Sequence, residues 1–459
     1  MMPLAAQDHS TLPEFHLDRE VLKGQMYFLA SDYLAGRRTG SKGNEIAAAY
    51  IASHLEAFGY TPINEGSYFQ DVPLQSISSP ERSSLQIGET TFTPDENLLV
   101  MRGVDPVEAE AKVVFAGYGW VDEESGHDDF KGHNVKGKIV ITLPGLPDDN
   151  SQQGIFKGLS EKPTIAAEKG AVALFEIYQL PFPWGAFTRY FGGDRVLLKP
   201  DEDENSSKIP YGFIKVEDDF LVSIKDAKKL KGVVKSSGLR VTEMDSRNVG
   251  GVLEGSDPEL KGEYMILTAH FDHVGVGSQG GGAYSPEDSI FNGARDNAFG
   301  TISLLGAAKS FAEVRPKRSI IILAVTGEEM GLLGSQYYAE HPLIPLEKTV
   351  YNFNTDGAGY SDTSAISIFG MGRTGVDEEI NEGAAAFNLK VIGDPAPEQG
   401  LYDRSDNVSF AARGVPALTF SPGFSEFNET MFKYYHQVTD NPNTIDYDYL
   451  LEYCRSFTY

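Results

Sequence analysis

Four apolar runs in the second half of the chain, at residues 264–268, 319–325, 349–354 and 415–420, have the length and unbroken hydrophobicity of strands covered on both faces. Helical spacing lies between them, chiefly at 297–314 and 376–387. Alternating strands and helices predict an α/β fold, a mostly parallel sheet flanked by helices. Near the start, residues 14–60 read as helices. Within them Ile46, Tyr50, Ile51, Leu55 and Phe58 recur near helical spacing, and Gly59 closes the pattern. His54 in this helix reads as a solvated or core-edge residue.

From about residue 75 to 245 the pattern changes. Short β-rich runs at 112–118, 137–143 and 171–178 are separated by loops rich in Gly, Pro and Asp. This reads as a β-rich domain, residues 90–240, inserted into a discontinuous domain made of 14–75 and 246–459. The acidic run 201–207 reads as an exposed loop. Trp120, His127 and His133 are scattered here and share no motif, so structural roles are expected of all three.

The chain has 459 residues, too long for one ordinary domain, which agrees with the change of pattern. With 41% hydrophobic and 23% charged residues, global disorder is excluded. Lys and Arg number 39 against 66 Asp and Glu, a net charge of −27 that argues against nucleic acid and anionic membranes as partners. No apolar run approaches the ~18–20 residues of a membrane span. Cys454 is the single cysteine, so no intramolecular disulfide or cysteine zinc cluster can form. A transition metal would have to be held by His, Asp and Glu. The first ten residues lack the basic start and apolar stretch of a leader. The expectation is that the protein stays where it is made or that its leader is absent from this chain.

The candidate chemistry sits where the predicted strands end. The first run ends in His270-Phe271-Asp272-His273, the second in Gly327-Glu328-Glu329 and the third in Asp356-Gly357. Asp296 precedes the long apolar helix, and His436 follows the last strand. Ligands of parallel sheets bind beyond the carboxyl ends of the strands. Singly, His270 could be a hydrogen-bonded core residue, Asp296 a helix cap and Glu328–Glu329 an acidic turn; their coincidence at strand ends favours a site. Two His and three carboxylates can hold two divalent ions such as zinc, with one carboxylate bridging ions ~3.5–4 Å apart. Asp296 is the natural bridge, because a short side chain at a helix start can face both. Asp272 can accept from the other nitrogen of His270 and set its tautomer. Glu328 and Glu329 are adjacent and cannot both point one way, so one can ligate while the other takes a proton from water.

The segments Thr268-Ala-His-Phe-Asp-His-Val-Gly275, Asn292-Gly-Ala-Arg-Asp-Asn-Ala-Phe-Gly300, Thr326-Gly-Glu-Glu-Met-Gly-Leu-Leu-Gly-Ser335, Asn352-Phe-Asn-Thr-Asp-Gly357 and Tyr435-His436 come in an order that resembles the co-catalytic zinc aminopeptidases. That family includes bacterial leucyl-type aminopeptidases, glutamate carboxypeptidase and the transferrin receptor. Leu29-Ala-Ser-Asp-Tyr-Leu-Ala-Gly36, Arg37, Gly40 and Gly43-Asn44 are similar to its N-terminal helices. The insert resembles a protease-associated domain at Val113-Val-Phe-Ala-Gly-Tyr-Gly119, Asp129-Phe-Lys-Gly132, Val135-Lys-Gly-Lys-Ile-Val140 and Ala166-Ala-Glu-Lys-Gly170. The resemblance covers nearly the whole chain, and the metal motifs together are far more specific than any one.

The resemblance implies a zinc exopeptidase fold with two zinc ions per chain. It assigns His270, Asp296 and Asp356 to one ion and Asp296, Glu329 and His436 to the other. Glu328 becomes the general base, with Asp272 beside it as a catalytic residue. The implied activity is a metallo-aminopeptidase removing N-terminal residues from peptides with a water between the metals. Three positions depart from the family pattern: Arg295 in place of an Asp, Phe299 in place of a small residue, and Asn407 in place of a His. Many bacterial relatives are exported, so a periplasmic or extracellular location is implied, with the cytoplasm as alternative. A carboxypeptidase or dipeptidase could use the same metals if a cation held the substrate carboxylate. Arg404 beside Asp406 is a candidate, although a loop arginine paired with a nearby acid is the simpler reading. A catalytically inactive receptor or scaffold is a further alternative, against which the retention of five ligands and a base argues. Glutaminyl cyclases share the fold with one zinc, and metal stoichiometry separates them.

Overall fold

The computed structural model describes residues 16–459 apart from 95, 124, 150, 181–182, 201–207 and 227–229. The first ten residues and the acidic run 201–207, read above for a leader and as an exposed loop, lie outside the described residues. The chain divides into two compact units, Met1–Pro73 with Met244–Tyr459, and Leu74–Glu243.

In the first unit, Ser319–Val325, Tyr264–His270, Thr349–Thr355 and Ala417–Pro422 lie side by side as parallel strands. Antiparallel neighbours close the group on both sides: Arg240–Leu253, registering Val249 with Ala324, and Ala365–Phe369. The apolar runs form strands because both faces are covered. Along Ser319–Val325, Ile320, Ile322 and Ala324 enter one core with the helix Phe299–Glu313 and the N- and C-terminal helices. Ile321, Leu323 and Val325 enter a second core with Tyr338, Phe410 and Val415. The two-residue period of a strand thus feeds two cores at once. The helices Arg19–Leu29, Lys42–Ala57 and Tyr447–Thr458 start at Asp18, Ser41 and Asp446, whose side chains accept from the first free amides. Between the first two, Gly36 has φ +66°, and a Cβ there would lie 2.3 Å from the Gly275 carbonyl oxygen. That close approach, which only glycine permits, brings the chain before Arg37 against the loop that follows Asp272.

The second unit is built on eight strands, in the order Thr90–Phe92, Ser83–Ile87, Lys231–Ser236, Val107–Phe115, Ile139–Thr142, Ala173–Ile177, Tyr211–Ile214, Leu98–Arg102. The four from Val107–Phe115 to Tyr211–Ile214 run parallel. Helices Gln152–Glu168, Trp184–Gly192 and Asp218–Asp226 accompany them, so this unit is mixed α/β in addition to being rich in strands. The helix Gln152–Glu168 contains Pro163, a residue that reads as a breaker in sequence. A buried polar cluster stands in this unit. Lys162 Nζ donates to Glu176 Oε2 at 2.8 Å and to the Leu143 carbonyl at 2.8 Å, and Tyr211 OH donates to Glu176 Oε1 at 2.5 Å. Both charges are paired and hydrogen-bonded, the condition under which burial is tolerable. Among the described residues no helix is long and apolar enough to cross a membrane.

Candidate metal centre

The parallel strands deliver the predicted residues to one edge of the first unit's sheet. His270 is the last residue of Tyr264–His270 and Asp356 the first beyond Thr349–Thr355. Glu328 and Glu329 follow Ser319–Val325 after a two-residue turn. Asp296 lies in the irregular turn Ala294–Ala298 that feeds the helix Phe299–Glu313. His436 takes a left-handed backbone, φ 51°, beyond the short helix Glu429–Phe432.

These side chains converge. His270 Nε2 lies 3.1 Å from Asp356 Oδ1, 3.5 Å from Asp296 Oδ1 and 3.9 Å from Glu328 Oε2. His436 Nε2 lies 3.2 Å from Asp296 Oδ2 and 3.1 Å from Glu329 Oε2. Asp296 therefore divides its two oxygens between the two imidazoles, the disposition a bridging carboxylate needs. Two groups of donors result, His273, Asp296, Glu329 and His436, and His270, Glu328 and Asp356, each with atoms within 4.8 Å of one another.

Neighbouring groups hold the donors in place. The Asp272 carboxylate accepts from Thr39 Oγ1 at 2.9 Å and from the amides of Glu328 and Glu329 at 3.3 and 3.4 Å. Its main-chain oxygen lies 3.3 Å from His270 Nδ1, and its carboxylate lies further off, at 3.7 Å. Asp272 thus reaches His270 first through its backbone, and its side chain fixes the paired glutamates. Ser405 Oγ donates to Asp356 Oδ2 at 2.6 Å. Asp440 Oδ2 accepts from the Arg295 amide at 2.8 Å and the Asp296 amide at 3.4 Å.

Electrostatics show a deficit of positive charge. Burial would lower the His270 pKa, but Glu328 and Asp356 outweigh it and hold the imidazole protonated well above its usual range. Burial likewise opposes protonation of His436, and Glu329 with Asp296 raises it to about 10. Burial and the charges of Asp356 and Glu329 lift Glu328 well above the carboxylate range, against the pull of His270. Glu329 is depressed well below that range because His436 and His273 outweigh its burial. Imidazoles that keep protons only to neutralise crowded carboxylates mark where divalent cations would bind more strongly. The donor set, imidazole nitrogen and carboxylate oxygen without thiolate, suits zinc.

The departures from the family pattern leave the donors intact. Arg295 turns to Asp440, with Nη1 to Oδ1 at 3.0 Å, and lies over the Tyr434 ring at 3.7 Å. Phe299 packs against Tyr453. Asn407 is buried, donating to the Tyr402 carbonyl and accepting from Thr419. Arg404 is exposed and forms no ion pair with Asp406 or any other described residue, contrary to the simpler expectation for a loop arginine. His273 went without a role in the sequence reading. The structure places its Nδ1 2.7 Å from Glu329 Oε1, with a buried Nε2 that has no partner. The signal was its place three residues after His270, still inside the strand-end motif.

Residues 248–457 match peptidase family M28. The matched segment holds every predicted donor. The vacuolar membrane protease of Saccharomyces cerevisiae is 36% identical over 172 residues, 36% of this chain and 14% of that protein. That of Lachancea thermotolerans is 30% identical over 176 residues, 37% of this chain and 15% of that protein. The matched segment is therefore a small part of these curated relatives. The solved aminopeptidase from Aneurinibacillus sp. strain AM-1 superposes over 98% of this chain and 95% of its own, with a TM-score of 0.61 at 20% identity. The chain thus shares the mixed α/β fold of that enzyme.

Proposed function

We propose that this chain is a di-zinc exopeptidase that removes N-terminal residues from peptides. The observation that carries the reading is Asp296 shared between His270 and His436, with Asp356 and Glu329 completing a donor set on either side. The M28 match supports hydrolysis of peptide bonds. Zinc, when bound, supplies Lewis acidity toward the scissile carbonyl and lowers the pKa of water toward ~7. Glu328 takes the proton of the attacking water and passes it to the leaving amine. Asp272 holds the Glu328 and Glu329 amides and so keeps the two carboxylates apart. The buried carboxylates favour a cationic α-amine, which selects the chain end. Chelation should abolish hydrolysis of aminoacyl substrates, and zinc or cobalt should restore it. Full activity in a verified metal-free sample would overturn the reading.

We propose in addition that the second unit is a protease-associated domain that supplies no metal donor. All five proposed ligands and the base lie after residue 246, and the unit has apolar cores on its own. Residues 74–243 expressed alone should unfold cooperatively in urea and bind no zinc by calorimetry. Tight zinc binding by this fragment would refute the division of labour.

A further inference from the structure

The candidate centre opens into a cavity of about 280 Å³ whose lining includes Asp296, Glu328, Glu329, Asp356 and His436. The rest of the lining is largely apolar. Phe369, Leu401 and Phe424 belong to one buried cluster, with Phe427 packed against it. Such a wall suits an apolar side chain and gives no reason for a charge. Yet Arg404 also lines it, the one Lys or Arg side chain among the described lining residues. Other arginines of this acidic chain are paired with carboxylates: Arg295 with Asp440, Arg318 with Glu263, Arg413 with Glu340. Arg404 is held by the chain at a set distance from the centre, because its neighbour Ser405 donates to Asp356 at 2.6 Å and Leu401 is buried. Divalent ions in the centre would offset the carboxylates and leave the guanidinium charge free for a ligand. A guanidinium matches a carboxylate in shape as well as charge.

We infer that Arg404 is the carboxylate-recognition group of this cavity, so that preferred substrates carry a carboxylate close to the scissile bond beside an apolar group. The inference rests on the exopeptidase reading above. The carboxylate could be the C-terminus of a dipeptide or the side chain of an acidic N-terminal residue, and two substrate pairs separate these sources. The zinc-loaded full chain is assayed on Leu-Phe against Leu-Phe-amide, and on Glu-p-nitroanilide against Gln-p-nitroanilide. One pair should show a preference for the charged member of about tenfold in kcat/KM, carried mainly by KM, as one exposed charge-assisted contact supplies. The pair that shows it identifies the source. Arg404→Gln should erase the preference while leaving the uncharged member within about twofold, and Arg404→Lys should retain part of it. Because Arg404 is exposed, both variants should melt as the parent does. Hydrolysis without preference in either pair, or an equal fall on both members in Arg404→Gln, would overturn the inference and leave the peptidase reading standing. Hydrolysis of none of the four by the zinc-loaded parent would overturn both.

Discussion

Replacing Glu328 by Gln should cut kcat by roughly 10²–10⁴-fold, the usual worth of a general base, while two zinc ions per chain remain bound. Gln keeps the size of the side chain and removes its ability to take a proton. Glu328 is the carboxylate least committed to an imidazole, its Oε2 lying 3.9 Å from His270. Glu329 is held at both oxygens, 2.7 Å from His273 and 3.1 Å from His436. Glu329→Gln should therefore lower metal occupancy at one site, and its loss of activity should be partly recovered at high zinc concentration. Elemental analysis beside steady-state kinetics reads both effects. The donor atoms of Glu328 also come within reach of a metal shared by His270 and Asp356. Loss of metal in Glu328→Gln with full occupancy in Glu329→Gln would exchange the two roles.

What the sequence made legible divides along physical lines. The strand Ser319–Val325 was readable to the residue, because burial on both faces leaves an unbroken apolar run. Position at strand ends then singled out His270, Glu328, Glu329 and Asp356, since parallel strands present their ends on one side. The groups that hold these donors were not legible as such. Thr39 and Ser405 lie 233 and 49 residues from the carboxylates they bond, and a lone hydroxyl carries no pattern. Asp440 stood in the segment after His436, but its hold on the Arg295 and Asp296 amides depends on a long-range return of the chain. The second unit's helices were hidden for a different reason. Pro163 interrupts the local signal of Gln152–Glu168, and the Lys162–Glu176 pair that docks this helix joins residues whose charges suggest a surface.

Arg37→Met should be the most destabilising single change in the first unit. The guanidinium is buried, at 1% exposure, and donates to four main-chain carbonyls. Nε reaches Phe271 at 2.8 Å, Nη1 reaches Leu29 at 2.5 Å and Asn292 at 2.7 Å, and Nη2 reaches Gly293 at 3.0 Å. Burial lowers its pKa to about 10, against the opposing fields of Asp272 and Asp296, so it stays charged at neutral pH. Two of the bonded carbonyls lie just before Asp296, and one lies between His270 and Asp272. The same side chain therefore stitches both donor loops to the N-terminal helix. Methionine fills similar volume but donates nothing, and each carbonyl left buried without a partner costs about 1–3 kcal/mol. Even with partial relaxation, a loss of about 3–5 kcal/mol is expected, comparable to breaking a buried charge pair and a large share of the usual ~5–15 kcal/mol stability of a domain. Urea unfolding of the metal-free protein isolates this term, since bound zinc would add its own stabilisation. Zinc affinity should fall alongside it, because the loops carrying His270 and Asp296 lose their common anchor. Arg37→Lys should fall between, as one ammonium cannot reach all four carbonyls. A methionine variant within 1 kcal/mol of the parent, binding zinc normally, would show that the loops are held by their own packing and that the arginine is dispensable.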